Sequence, residues 1–351
     1  MGKLTAVAIS GGIDSLMAAY ILKKQGNSVI GIHFITGYET DSDSCDKKKQ
    51  AKNKISFIAD QLGINYKIFD CRRQFKSNVV NYFIKSYTKG LTPNPCIVCN
   101  STIKFGAVLE YANKLGAARL ATGHYAKITK CKNNRLHLAK GVDSAKNQAY
   151  FLAWLTQKQL SCACFPLGDF KKQTIIQMAK EKGFFSFTEK ESQDVCFVQK
   201  KTYGKFLLSQ PGFRSEPGLI EDISGNIIGE HKGLHLFTVG QRRRINCPAS
   251  EPYYVVRLDH KRNRLVAGFK NSLFSSRMKV SDINWINMPK NPDQKIYTQI
   301  RGRHEPQPSR LINKTKDSAV VIFDKPQAAI TPGQGAVFYI NNEVCGGGWI
   351  E

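Results

Sequence analysis

Residues 3 to 125 alternate short apolar runs with longer helical patterns, and this alternation constrains the fold more than any other feature of the chain. KLTAVAIS reads as a strand, DSLMAAYILKKQG as a helix, NSVIGIHFIT as a strand, KKKQAKNKISFIADQLG as a charged helix and NYKIFD as a strand. IKFGAVLEYANKLG and ARLATGHYAKI then repeat the helix and strand. Strands separated by helices run parallel, so the expected class is α/β, a parallel nucleotide-binding type of sheet covered on both faces. Ligands of such sheets sit beyond the carboxyl ends of the strands.

From about residue 135 to 199 the pattern stays mixed, with QAYFLAWLTQKQL and KKQTIIQMAKEKG reading as helices. Residues 217 to 268 change to hairpins, turning at Ser224-Gly225-Asn226 and near Lys261-Arg262-Asn263. From about 270 the chain is almost all β, with Asn341-Asn342 as a tight turn, and a small closed barrel is the expected way to bury such short strands without edges. A chain of 351 residues is too long for one small core. These shifts divide it into 1–199, an α/β domain, 200–269, a small mixed and β central domain, and 270–351, a β-barrel.

Fifty-two Lys and Arg face 27 Asp and Glu, a formal charge of +25 spread along the whole chain. A field of that sign and breadth attracts polyanions, nucleic acid first. No apolar run approaches the roughly 18 residues of a spanning helix, and MGKLTAVAIS lacks a signal-peptide core, so a cytoplasmic protein without a membrane partner is expected. In a reducing compartment the ten cysteines are read as metal-binding, catalytic or small buried apolar residues rather than as disulfides.

In AISGGIDSLMAAY a strand delivers the chain into Ser10-Gly11-Gly12 and a helix begins near Asp14-Ser15. Free amides at a helix N-terminus with glycines that let the backbone wrap a ligand make an anion site. The Walker lysine is missing, as is GxGxxG. The alternative is a plain Ser-Gly-Gly turn with Asp14 or Ser15 capping the helix. TPNPCIVCNSTIKF sets Cys96 and Cys99 in a CxxC before a helix, and KESQDVCFVQK sets Cys196 in a polar run. Tetrahedral zinc needs four ligands, and no second pair of that kind is present; Cys162 and Cys164 form a CxC read as helical and core-facing.

The spelling SGGxDS after a strand resembles the pyrophosphate loop of the ATP pyrophosphatases. On that resemblance Ser10, Gly11, Gly12 and Ser15 hold pyrophosphate, Asp14 helps position magnesium, and ATP leaves AMP on a carbonyl oxygen. With TPNPCIVCNSTIKF, ATGHYAK, NQAYFLAWL, DVCF, IGEHKGLHLFTVGQR, TPGQGAVFY and VCGGGWIE in order, the chain resembles the MnmA family of bacterial tRNA-specific 2-thiouridylases from about residue 5 to 351. The resemblance implies a tRNA-uridine 2-sulfurtransferase with an ATP pyrophosphatase-type domain at 1–199, a tRNA-binding domain at 200–269 and the barrel at 270–351. ATP and Mg2+ are its implied cofactors. Its implied partners are tRNA and a sulfur-donor protein, either a persulfide carrier or a cysteine desulfurase.

Carried over by position, Cys99 is the nucleophile and Cys196 carries the persulfide and forms a transient disulfide with it. Ala8, Ile9, Ser10, Gly11, Gly12, Ile13, Asp14, Ser15, Phe34 and Gly123 fall where the family binds ATP. Asn94, Pro95 and Cys96 fall at the target base, and His124, Lys146, Asn147, Gln148, Arg301, Gly302 and Gln334 where it touches tRNA. The residues agree chemically: a thiolate is a competent nucleophile, nearby cations favour it, and a second thiol resolves a persulfide.

The chain departs from the family at two positions. Cys96 stands where the better-known form has Asp, and Gly302 where Tyr is common. Three cysteines at an adenylation pocket also resemble the iron-sulfur-dependent tRNA thiolases, in which Cys96, Cys99 and Cys196 would hold a [4Fe-4S] cluster with one open iron. Two further readings are an amide-forming synthetase of the same superfamily and a non-catalytic basic RNA-binding protein. His124 reads either as an RNA contact or as a structural histidine. Gln241-Arg242-Arg243-Arg244 suits phosphate, whereas Lys47-Lys48-Lys49 reads as a solvated helix start.

Overall fold

The computed structural model describes residues 4–39, 55–130, 134–184, 195–198, 202–289, 291 and 294–351. Strands β1 (Thr5–Ala8), β2 (Val29–Ile35), β3 (Asn65–Asp70), β4 (Arg119–Ala121) and β7 (Ala163–Cys164) form one sheet in the order β3-β2-β1-β4-β7. Every pair in it is parallel. The strand order reverses between β1 and β4, and the loops that leave these two strands therefore open beside each other, the place where α/β sheets bind ligands.

Helix α1 (Ile13–Lys24) is apolar on most of its circumference, with Leu16, Met17, Ala18, Ala19, Ile21 and Leu22 buried. It packs between the sheet and the helix Lys172–Glu181, whose Ile175 and Ala179 are buried in the same core. On the other face lies a long core that includes Phe75, Phe83, Ile97, Phe105, Val108 and Tyr150. Arg72–Phe75, Lys76–Val80 and Asn81–Thr88 run on as one helix there, and so do Pro95–Val98, Cys99–Val108 and Leu109–Lys114. Both are wound as π-helix in their middle pieces, a rare winding that is frequent at functional sites.

Hairpin β5 (Ala126–Lys130) and β6 (Leu136–Lys140) leaves the first sheet altogether. The central domain pairs β8 (Gly218–Glu221) with β9 (Ile227–His231) and β10 (Tyr254–Asp259) with β11 (Arg264–Gly268), both antiparallel, and joins the hairpins by a parallel β8–β11 ladder. Strands β12 (Phe274–Trp285), β13 (Ile296–Gln299), β14 (Gln307–Ile312), β15 (Ser318–Ala328), β16 (Gly335–Ile340) and β17 (Glu343–Ile350) follow in the order β12-β15-β14-β13-β16-β17. Pairing of β12 with β17 closes them into a six-stranded barrel around Val280, Val321, Phe338 and Ile350. The α/β domain is tied to this barrel through β6, which pairs with β17 at Leu138–Val344 and Ala139–Glu343.

Three local expectations are corrected. QAYFLAWLTQKQL is not one helix: Ala149–Leu152 is a 3-10 turn, and a new helix starts at Gln157 under a capping box between Thr156 and Gln159. Cys162 ends that helix, but Cys164 lies in β7, so the CxC is not helical. ARLATGHYAKI is two strands in two sheets, broken at residues 122–125 by a loop that the site uses. Lys47-Lys48-Lys49, Cys45 and Cys131 lie outside the described residues.

Candidate active site

The loop after β1 is shaped by its glycine and its two serines. Gly11 takes φ of 83°, which glycine adopts without strain, and turns the chain so that helix α1 starts at Ile13. Ser10 and Ser15 close the loop from inside: the Ser15 hydroxyl donates to Gly12 O at 2.9 Å and accepts from Ser10 N–H at 3.2 Å. Asp14 points away from these hydroxyls, accepting from Lys172 Nζ at 2.7 Å on each oxygen and from the Tyr125 hydroxyl at 2.8 Å. Ala8, Ile9 and Ile13 are buried supports, and Phe34 is half-buried on β2. Ile9 contributes its carbonyl as well, 3.0 Å from His33 Nδ1.

Cys96 and Cys99 sit three apart at the start of their helix, whose cap is Asn94: its Oδ1 accepts Ile97 N–H at 3.4 Å, and Pro95 occupies the first turn. Cys96 is exposed, Cys99 half-buried and Cys196 exposed, and the eight described cysteines are all free thiols. Desolvation by the protein packed around the sulfurs pushes the Cys99 thiol up to about 12 and that of Cys196 up to about 11 and raises that of Cys96, although Cys96 and Cys196 are partly open to solvent. Lys104 opposes burial at all three, while Cys96 and Cys196 each disfavour a charge on Cys99. Three thiols and one ammonium thus share one electrostatic environment. In an α-helix Lys104 would lie about 140° around the axis from Cys99. The π-winding of Cys99–Val108 stacks residues five apart and brings it toward the cysteine face.

Cys196 is held by its neighbour. The Phe197 ring packs within 5.1 Å of Phe83, 5.3 Å of Phe206, 5.8 Å of Phe75 and 5.9 Å of Tyr38, and the turn is closed by Val198 N–H to Val195 O at 2.9 Å. A buried aromatic anchor therefore presents an exposed thiol.

The loop after β4 links the two halves of the site. A Cβ on Gly123 would stand 2.8 Å from Asp14 C and Cβ, so this backbone lies directly on the start of helix α1, where the loop after β1 ends. The next residue, His124, is buried between Thr122 Oγ1 at 2.7 Å and Lys104 Nζ at 3.4 Å. Burial, with Lys104 beside it, holds His124 neutral far below its usual range. Lys104 then donates to Nε2 and the Nδ1–H donates to Thr122. Both ring nitrogens of His124 thus carry partners inside the protein.

The remaining sequence candidates fall on two patches. Asn147 Oδ1 accepts Ala149 N–H at 3.1 Å and Gln148 Oε1 accepts Tyr125 N–H at 3.0 Å, with Lys146 closing the same short turn. Arg301 is exposed on the barrel, and a Cβ on Gly302 would stand 2.8 Å from Phe151 Cζ, so the Phe151 ring fills the place of a side chain there. Gln334 donates to the carbonyls of Thr92 and Pro93. Arg242, Arg243 and Arg244 are exposed, as a phosphate-binding run must be. Sequence reasoning gave no role to Lys104, Lys172 or Tyr125: the first and last lie inside TPNPCIVCNSTIKF and ATGHYAK, but the partners His124 of Lys104 and Asp14 of Lys172 and Tyr125 are 20, 158 and 111 residues away. Among the described residues, no three or more His, Cys, Asp or Glu side chains are grouped as a single metal ion requires. Nor is any described helix long and apolar enough to cross a membrane.

Family models agree with this architecture. The tRNA methyl transferase HUP domain matches residues 3–200, the tRNA methyl transferase PRC-barrel domain residues 205–268 and the aminomethyltransferase beta-barrel domain residues 275–350. A protein of Desulfosudis oleivorans named tRNA-specific 2-thiouridylase MnmA is 47% identical over 348 residues, 99% of this chain and 95% of its own. Proteins of the same name from Desulfotalea psychrophila and Chloroflexus aurantiacus are 42% and 39% identical over 352 and 351 residues. The first alignment covers 99% of this chain and 98% of the relative, the second 98% and 97%.

Proposed function

The chain belongs to the family of tRNA-specific 2-thiouridylases MnmA, and from that premise we propose that it uses ATP to replace the C2 oxygen of the tRNA wobble uridine with sulfur. The observation that carries the reading is the loop 122–125: it touches the phosphate loop through Gly123 and Asp14 and the cysteine helix through His124 and Lys104. An adenylating loop and a set of thiols thereby border one space.

In this reading ATP lies on Ala8 to Ser15 with Phe34 and Gly123 beside it. Asp14 is the carboxylate that would hold magnesium, which would neutralise charge on the ATP phosphates; in this structure its two oxygens are taken by Lys172 and Tyr125. The uridine leaves the stack to be reached. Its C2 oxygen attacks the α-phosphorus and pyrophosphate leaves. The terminal sulfur of a Cys196 persulfide then attacks C2 and AMP leaves. Cys99 thiolate attacks the Cys196 sulfur, which releases 2-thiouridine and leaves a Cys99–Cys196 disulfide; an external thiol reductant restores both cysteines. Cys96 is an auxiliary thiol. Asn94 and Pro95 border the base, and Lys146, Asn147, Gln148, Arg301 and Gly302 border the tRNA, in keeping with the charge of +25.

The reading assigns 1–199 to adenylation and sulfur transfer, 200–269 to tRNA binding and 270–351 to the barrel, in a cytoplasmic enzyme fed by a persulfide carrier or cysteine desulfurase. A four-iron cluster on Cys96, Cys99 and Cys196 is the second reading, and iron with acid-labile sulfide on the anaerobically purified protein would set it apart from the persulfide relay. The test is to incubate the protein with ATP, Mg2+, a persulfide donor, a reductant and a tRNA carrying a wobble uridine. Formation of 2-thiouridine with AMP and pyrophosphate, lost in Cys99→Ala and in Cys196→Ala, is expected. Amide formation with ammonia that survives both substitutions would assign the chain to a synthetase. No turnover at all would leave an RNA-binding protein.

A further inference from the structure

The segment that leads into the cysteine helix cannot hold itself in place. Pro93 and Pro95 have no N–H, so within TPNP only Thr92 and Asn94 donate from the backbone. Thr92 N–H bonds to Pro332 O at 2.9 Å and Asn94 N–H to the Tyr82 hydroxyl at 3.4 Å. The carbonyls of Thr92 and Pro93 remain, and one side chain serves both: Gln334 Nε2 donates to Thr92 O at 3.0 Å and to Pro93 O at 3.2 Å.

Gln334 comes from the barrel, in the loop before β16, and that loop is fixed on its own side. Gly333 N–H bonds to Ile350 O at 2.9 Å and Ile350 N–H to Gln334 O at 2.9 Å, which lashes it to β17. Gly333 has φ of 87°, and a Cβ there would stand 2.8 Å from Leu91 Cβ and 3.0 Å from Thr92 N and O. The two backbones are in contact with no room for a side chain. Below them the Tyr150 hydroxyl donates to Gly335 O at 2.9 Å.

We infer that Gln334 is a positioning residue for Cys99, through which the C-terminal barrel fixes the direction in which the cysteine helix leaves residues 92–94. Asn94 caps this helix and Pro95 begins it, so its first turn takes its orientation from the peptides that Gln334 grips. Gln334 Nε2 is engaged in this grip by both bonds, and its Oε1 is the atom left for a contact with tRNA such as the family resemblance implies. The inference rests on the thiolation reading only for its activity arm.

Gln334→Met keeps the length of the side chain and removes the donor; Gln334→Glu keeps the shape and puts an acceptor against two carbonyls. Hydrogen exchange of the peptide spanning 91–99, in the protein without tRNA, is expected to accelerate at least about tenfold in Gln334→Met, the worth of one lost hydrogen bond, and further in Gln334→Glu. Exchange elsewhere stays as in the wild type. At saturating tRNA the single-turnover rate of 2-thiouridine formation is expected to fall about tenfold or more in Gln334→Met, with the tRNA Kd within about twofold. Unchanged exchange at 91–99 overturns the inference. So does a Kd weakened tenfold with the saturated rate intact, which would make Gln334 an RNA contact. A wild-type protein that forms no 2-thiouridine refutes the proposed function and leaves the exchange measurement to decide this one.

Discussion

Replacing Gly123 with Ala tests whether the loop 122–125 is part of the nucleotide site. The new Cβ would stand 2.8 Å from Asp14 C, 2.8 Å from Asp14 Cβ and 3.0 Å from Asp14 O, against an ordinary carbon contact of about 3.5–4.0 Å. Something must shift by more than half an ångström. Asp14 cannot yield easily, because Lys172 grips both its carboxylate oxygens at 2.7 Å and Tyr125 adds a third bond at 2.8 Å. The displacement therefore passes along the backbone into Gly12 and Ile13, whose amides the proposed function places on the ATP phosphates. Overpacking of this kind costs about 1–3 kcal/mol, which corresponds to roughly 5- to 150-fold if it falls on nucleotide binding. The assay is tRNA-stimulated AMP release as a function of ATP concentration, with a thermal melt on the same samples. The control is Gly26→Ala, where φ is 80° and no atom lies within 4 Å of a Cβ, so that backbone strain is present without the clash. A Gly123→Ala enzyme with the wild-type KM for ATP would refute the reasoning.

Three further outcomes are expected. Removing the charge of Lys104 in Lys104→Met should raise the Cys99 thiol further, so that its alkylation by iodoacetamide at pH 8 slows several-fold and accelerates only at higher pH; an unchanged pH profile contradicts this. Phe197→Ala should cost about 3–5 kcal/mol in urea unfolding and slow oxidative formation of the Cys99–Cys196 disulfide, because the ring anchors that turn among Tyr38, Phe75, Phe83 and Phe206; a loss below about 1 kcal/mol counts against the anchor. Cys71 and Cys345 are buried with thiols pushed up to about 12, so the folded state keeps protons that the unfolded chain releases near pH 8.5. Their stabilisation is complete below that pH and declines as pH rises toward 12, and the double variant Cys71→Ala with Cys345→Ala should show a shallower alkaline fall in Tm.

What could be read without coordinates was local. The hairpin turns at Gly225, Asn263 and Asn341 have φ of 90°, 49° and 55°, and these residue types announce such turns. The SGGIDS loop announced itself in the same way, by glycines placed between an apolar strand and an apolar helix. Cys164 was misread because a strand of two residues carries no period at all. The start of the helix at Gln157 was legible in Thr156 and Gln159, a capping-box spacing, but the apolar residues before it outweighed that signal. His124 follows an apolar run in either case, and only the packing of Phe165 and the approach of Lys104 decide that it is buried. Lys172 was beyond reach for a plainer reason: its partner Asp14 is 158 residues away.

The ladder between β6 and β17 has a consequence for how the chain assembles. His137 and Glu343, which bridge that ladder at 2.5 Å, are 206 residues apart in sequence. Until Glu343 and Val344 arrive, β6 presents an unpaired edge and β12 lacks one of its two neighbours. During synthesis the nucleotide-binding domain therefore emerges long before its last strand partner, and both vacancies are filled in one late event. Loss of β17 leaves the α/β domain with an unpaired edge as well as opening the barrel, so truncation or a frameshift near residue 343 favours edge-to-edge aggregation.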